Sequence, residues 1–573
     1  MIKNFTKRIR EYKKDIFLSV GLMVMAVVIE VTIPYIMSQM IDYGIATGDI
    51  DAIFRIGGLL VGVSLTSLAL GLLSSRYLAV ASTGFVKNVR QDLYHHVTNF
   101  PFQSIDKFST ASLITRLTTD ISSLQGAFSL TIRVCSRSPL IMLFALIMAF
   151  RINSRLALVF IFVLPFLGIL IALIIRKAFP LFRLALKTYD NLNQVVNENL
   201  KGIRVVKSFV REDYEIKKFE DVSTDIFTKF TSAEKIVAFF QPSMQLATYA
   251  CMVLISWFGA QLIVAETMSV GQLMSFIIYI SQILMALIMM SMLFISLAMS
   301  RASAERIQEV FDEKLILQNP DNPIMEIPNA NITFENVSFG YSAGKNVLEN
   351  VSLTIKEGQT VGILGGTGSS KTSLVQLIPR LYDVTEGAVK IGGIDVRNLN
   401  LPTLREQVSM VLQKNTLFTG TVTDNLRWGD KSATQEQLIT ACKMAQIHDF
   451  IESLPGGYNT EVEQGGANFS GGQRQRLCIA RAILKRPRVF IFDDSTSAVD
   501  TNTEAQIMNA IKENLPGATK IIISQRISSV KDLDTIVLMD DRKIAGIGSH
   551  SHLMETSEIY REIYSSQNKE EGE

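Results

Sequence analysis

Gly365-Gly366-Thr367-Gly368-Ser369-Ser370-Lys371-Thr372 follows the apolar run Thr360-Val361-Gly362-Ile363-Leu364 and leads into a helix-patterned stretch, residues 372–381. Strand, glycine-rich turn and helix, in that order, are the context that gives such a turn its meaning. Glycines let backbone N–H groups converge on phosphate oxygens at a helix N-terminus. Lys371 would reach the β- and γ-phosphates of a nucleotide, and Thr372 would hold Mg2+. Ser370 stands where the pattern asks for glycine, and a side chain there crowds the phosphates or strains the turn. The stretch predicts an α/β nucleotide-binding domain with one imperfect position in its phosphate loop.

Two segments downstream extend the pattern. Val489-Phe490-Ile491-Phe492-Asp493-Asp494 reads as a buried strand ending in two acids. Asp493 would stand beside Mg2+; the rival reading, a helix cap, is outweighed by the neighbouring motifs. Asp494 is one methylene shorter than the acid expected to polarise an attacking water. A withdrawal of about 1 Å can cost on the order of a hundredfold in rate. Ser470-Gly471-Gly472-Gln473 opens a helix over 471–484. Serine is a strong N-cap, and the positive end of that helix can hold a phosphate. Apolar runs at 361–364, 408–412, 489–492 and 521–524 alternate with helical segments, as an α/β sheet requires.

Upstream the composition changes. Apolar residues make up 48% of the chain and mean hydropathy is +0.26, with the excess confined to residues before about 300. Runs long enough to cross a bilayer, roughly 20 residues each, lie near 16–37, 53–73, 140–150 with its upstream flank, 156–175, 236–264 and 270–299. The third is the weakest, because Arg133 and Arg137 sit just before its apolar part. Lys3, Lys7, Arg8, Arg10, Lys13 and Lys14 place the N-terminus in the cytosol, and an even number of crossings returns the C-terminus there. Residues 76–133 and 176–235 are long, charged and poor in Pro and Gly, so they read as spanning helices continued into the cytosol. Pro320, Pro323 and Pro328 mark a boundary. The expected organisation is a membrane domain over 1–311, a linker over 312–332, a nucleotide domain over 333–566 and a disordered polar tail over 567–573.

A net charge of +2 argues against nucleic acid as a partner. Cys135, Cys251, Cys442 and Cys478 match no zinc spacing and read as reduced. Glu30 lies within the first crossing, four residues before Pro34. A carboxylate there binds a cationic substrate, moves a proton, or pairs with a polar neighbour such as Gln39 or Gln241. Met285, Met289 and Met292 share one face of the sixth crossing. They suit lipid-facing packing better than an adaptable ligand surface.

Taken together, these residues resemble the ATP-binding cassette (ABC) superfamily, and within it the exporter-type half-transporters. The resemblance implies an all-α transmembrane domain of six long helices with cytosolic extensions, followed by an α/β P-loop NTPase domain using ATP and Mg2+. Carried over by position, residues 365–372 with Ser373 look like the Walker A loop, and Tyr341 like the aromatic that stacks on adenine. Gln413 looks like the Q-loop glutamine that meets Mg2+, and Ser470, Gly471, Gly472 and Gln473 like the signature motif. Asp493 matches the Walker B aspartate, Asp494 the catalytic carboxylate, Ser497 and Asp500 the D-loop, and Gln525 the switch histidine. None of the five histidines occupies that last position. Segments near 111–116 and 205–210 resemble the coupling helices.

An intact signature beside a degraded Walker pair resembles the degenerate-site subunit of heterodimeric bacterial multidrug exporters. That implies a second half-transporter as partner, the lipid bilayer as surroundings, and hydrophobic small molecules as cargo. The location implied is the plasma or inner membrane, multi-pass, with both termini cytosolic. The alternatives are a lipid or peptide exporter, or an ATP-binding regulatory membrane subunit. Fusion of membrane and ATP-binding parts in one chain goes against an importer.

Overall fold

The computed structural model describes residues 2–315, 317–341, 344–494 and 501–570. It divides into two units. The first runs to Thr98 and resumes over Thr110–Glu313; the second takes Asn99–Ser109 and everything from Lys314 onward.

Among the described residues of the first unit, six helices are long and apolar enough to cross a membrane. Residues 140–150 belong to an unbroken helix, Ile121–Ile152, with Arg133 and Arg137 inside it. The longest, Ile50–Thr98, has 49 residues, about 70 Å at 1.5 Å per residue, against a hydrocarbon layer of about 30 Å. Its two halves pack in opposite senses. Leu59, Val61, Leu65, Leu68 and Leu72 are exposed, whereas Leu78, Ala81, Phe85, Val89 and Leu93 beyond them are buried. An apolar segment without protein cover beside a packed polar one is what a helix half in lipid and half in water requires. Val270–Asp312 is likewise extended at 43 residues. Its polar end is tied down: Glu309 accepts from Arg116 at 3.0 Å, and Arg306 pairs with the buried Asp120.

The second unit is built on a six-stranded sheet in the order Lys543–Gly548, Thr535–Asp540, Thr360–Leu364, Thr519–Ser524, Val489–Asp493, Val408–Val411. All pairs are parallel except the first. A four-stranded antiparallel sheet, centred on Ile332–Phe339, accompanies it. The parallel strands are buried on both faces, as this topology demands. Val489 and Ile491 enter one core, and Phe490 and Phe492 enter the other.

Two expectations need correction. The helix that belongs with the nucleotide domain is Phe102–Phe108, not the segment at 111–116. The latter is part of the short helix Thr110–Thr115, which groups with the membrane unit. Phe100 and Phe108 are buried there, and Phe102 packs on Tyr382. The second is the tail: the last helix runs over Glu558–Glu570, and Gln567 has a fixed role described below. The four cysteines are free thiols, three of them buried.

Candidate nucleotide-binding site

Strand order assembles the site. Thr360–Leu364, Thr519–Ser524, Val489–Asp493 and Val408–Val411 are successive neighbours. Their carboxyl ends therefore deliver Gly365, Gln525, Asp494 and Gln413 along one edge, where open α/β sheets place their ligands.

The phosphate loop is held from within. Lys371 Nζ donates to the carbonyls of Gly365 and Gly366 at 2.8 and 2.7 Å, and contacts Ser369 Oγ at 3.2 Å. Gly368 has φ 84°, a conformation side chains disfavour. Ser370 is also left-handed, with φ 68° and ψ 21°, and its hydroxyl makes no cap bond to the helix Lys371–Gln376. The strain expected at this position is present.

Thr372 Oγ1 donates to Asp493 Oδ1 at 2.7 Å, so hydroxyl and carboxylate share one corner. Hard oxygen donors of this kind, one carboxylate with phosphates completing the shell, suit Mg2+. Among the described residues no group of three or more His, Cys, Asp or Glu is arranged to hold a metal without such help. Burial raises the Asp493 pKa, and the Thr372 hydrogen bond opposes it. Burial lowers the Lys371 pKa against the pull of Asp494 and Asp493.

Asp494 sits at φ 46°, and its backbone N–H reaches Ile523 O at 3.3 Å. Burial raises its pKa, opposed by Lys371, Arg526 and a hydrogen bond from Gln413. A raised carboxylate is the better proton acceptor, yet this one ends a methylene short. Gln525 is exposed and accepts from Thr367 Oγ1 at 3.4 Å. Gln525, Asp494, Gln413, Asp493, Thr372 and the loop 365–371 are thus brought together.

Tyr341 joins the same cluster from the antiparallel side, its hydroxyl 2.9 Å from Ser373 Oγ. Its ring meets Tyr382 edge-on at 5.1 Å. The signature residues stand apart on another helix, Gly471–Leu484, where Ser470 Oγ accepts from the Gln473 N–H and Gln473 Oε1 from the Ser470 N–H. Ser470 and Gly471 are exposed. Ser497 and Asp500 lie outside the described residues.

Two participants were not anticipated. Tyr382 donates to Asp106 Oδ2 at 2.8 Å and packs on Phe102, linking the helix Phe102–Phe108 to Tyr341. Gln567 accepts from the Ile527 N–H at 2.8 Å and donates to the Gln525 carbonyl at 2.7 Å. Neither has a sequence signal, since each partner is dozens to hundreds of residues away.

Comparison with known proteins agrees with this geometry. Residues 16–287 match the family description of the ABC transporter transmembrane region, and residues 348–497 that of the ABC transporter. The uncharacterized ABC transporter ATP-binding protein YfiB of Bacillus subtilis is 34% identical over 96% of this chain and 96% of its own length. This chain belongs to the ABC transporter family.

The fatty acid ABC transporter ATP-binding/permease protein of Mycobacterium bovis is 32% identical, over 83% of this chain and 75% of that one. In fold the half-transporter resembles a solved bacterial Atm1-family ABC exporter with ATP bound. That likeness has a TM-score of 0.84 at 22% identity and covers 97% of this chain and 99% of the other. A transmembrane region fused to an ABC domain carries with it the binding of ATP with Mg2+ and its hydrolysis for transport.

The carboxylate in the first crossing is not free. Arg137 Nη2 lies 2.8 and 2.9 Å from Glu30 Oε1 and Oε2. Neither Gln39 nor Gln241, the neighbours expected from sequence, takes that place; Arg137 was hidden because it lies 107 residues away. Met285 and Met289 line the cavity beside this pair, while Met292 is exposed.

Proposed function

We propose that this half-transporter is one subunit of a heterodimeric ATP-driven exporter of hydrophobic and amphipathic compounds, multidrug in scope, in the cell membrane with both termini cytosolic. Its own Walker residues form a degenerate, slow site. Its signature, Ser470 to Gln473, completes a competent site on the partner. Closure of two nucleotide domains on ATP turns the cavity outward, and hydrolysis at the competent site resets it.

The observation that carries this reading is the strand-end pair: Asp494, short of the attacking water, beside Gln525, which cannot take up a proton as histidine can. The intact N-cap at Ser470 supports the other half of it. A lipid exporter is the second reading, favoured by the mycobacterial relative named for fatty acids.

The test is ATP hydrolysis by the purified chain in lipid nanodiscs, alone and with a half-transporter bearing glutamate and histidine at the matching strand ends. We expect little turnover alone and roughly a hundredfold more in the pair. Brisk turnover by two copies of this chain would remove the asymmetry and the proposal with it.

A further inference from the structure

Glu30 alone suggests a cation site; its surroundings reverse the sign. A cavity of about 450 Å³ is lined by Glu30, Arg133, Arg137, Gln282, Met285 and Met289, among others. Arg137 is engaged with Glu30. Arg133, one helical turn earlier on the same face, is exposed on the cavity side of that pair. Two guanidinium groups against one carboxylate leave one positive charge over on the cavity wall. A guanidinium favours planar carboxylates and phosphates. A cation would find the Glu30 carboxylate already taken. Gln282 is half-buried, with a buried Oε1 that has no partner; turned over, that amide offers an N–H instead. Met285, Met289, Ile141 and Ile278 supply an adaptable apolar wall, in a volume suited to a drug-sized ligand.

We infer that this cavity binds a single-chain amphipathic anion, its carboxylate or phosphate head on Arg133, its tail along Met285 and Met289. Glu30 then neutralises Arg137 and leaves Arg133 as the charge that meets the head. Naming the anion as cargo rests on the exporter reading; binding itself does not.

The experiment uses the full chain in phosphatidylcholine nanodiscs and follows a dansyl-labelled long-chain carboxylate by fluorescence. Two competitors distinguish the sources of such a head group: oleate as a free acid, and phosphatidylglycerol exchanged into the disc as a lipid. Displacement by either supports the site and names the source; displacement by neither overturns it. Dodecyltrimethylammonium and dodecyl maltoside at equal concentration are expected to leave the probe in place. Arg133→Gln is expected to weaken binding roughly tenfold, Arg133→Lys to recover most of it, and Glu30→Gln, by releasing Arg137, to tighten it. Undiminished binding by Arg133→Gln, or equal displacement by the cation, overturns the inference. An unchanged melting temperature for the membrane unit, which holds residues 30 and 133, confirms that each variant is folded. ATP-dependent uptake of a neutral dye into inverted vesicles, with a partner present, reads the exporter proposal separately. Dye uptake without anion binding sinks this inference alone, and anion binding without any uptake sinks the exporter reading alone.

Discussion

Ser370 carries a cost that can be isolated. A non-glycine residue in the left-handed region loses about 1–2 kcal/mol, while a glycine there gives back about 0.4–1 kcal/mol through the looser unfolded chain. Strain release is the larger of the two, so Ser370→Gly should stabilise the nucleotide domain by several tenths to about 1 kcal/mol. It also removes a side chain from the turn that would cradle the phosphates, so the shift in melting temperature on adding MgATP should grow. Ser370→Ala, which keeps the strained Cβ, should gain nothing. A smaller MgATP shift in the glycine variant would mean that Ser370 contributes to binding rather than hindering it.

At the scale of elements, Phe102–Phe108 is fastened to the nucleotide domain by a short relay: Asp106 to the Tyr382 hydroxyl, Tyr382 to Tyr341, Tyr341 to Ser373. Tyr382→Phe cuts the first link and keeps the ring packed on Phe339 and Tyr341. Because Asp106 is exposed and water can replace the lost donor, the cost should be about 1 kcal/mol. Amide exchange over Asn99–Ser109 should quicken several-fold with ATP binding little changed; exchange at the original rate would show the hydroxyl to be idle. This relay also marks the limit of sequence reading. Gly365 to Thr372 are legible because their chemistry depends on spacing within one strand–turn–helix, and Asp493 because it ends a short apolar strand of its own. The pairing of Tyr382 with Asp106, like that of Arg137 with Glu30, depends on chain segments 276 and 107 residues apart. No local pattern encodes it. Family resemblance points to segment 111–116, whereas the helix grouped with the nucleotide domain is Phe102–Phe108, because position in a sequence does not say what a helix rests on.

The whole molecule joins two units with different solvents, and its unfolding should reveal them. Scanning calorimetry in nanodiscs should resolve two transitions, so no single stability describes the chain. A ligand that binds only the folded nucleotide domain stabilises it by about 2.7 kcal/mol at a hundred times its dissociation constant. MgATP should therefore move one transition and leave the other in place. A single transition that moves as one body would contradict the division at Glu313. The clasp of Gln567 on the backbone at Gln525 and Ile527 has a practical corollary at this scale. Affinity handles and fluorescent fusions hung directly on the helix Glu558–Glu570 pull on the residue that holds the backbone at Gln525 and Ile527. Kinetics recorded with a bulky C-terminal reporter would mix the enzyme's own rate with the drag of its cargo, and an N-terminal handle gives the cleaner assay.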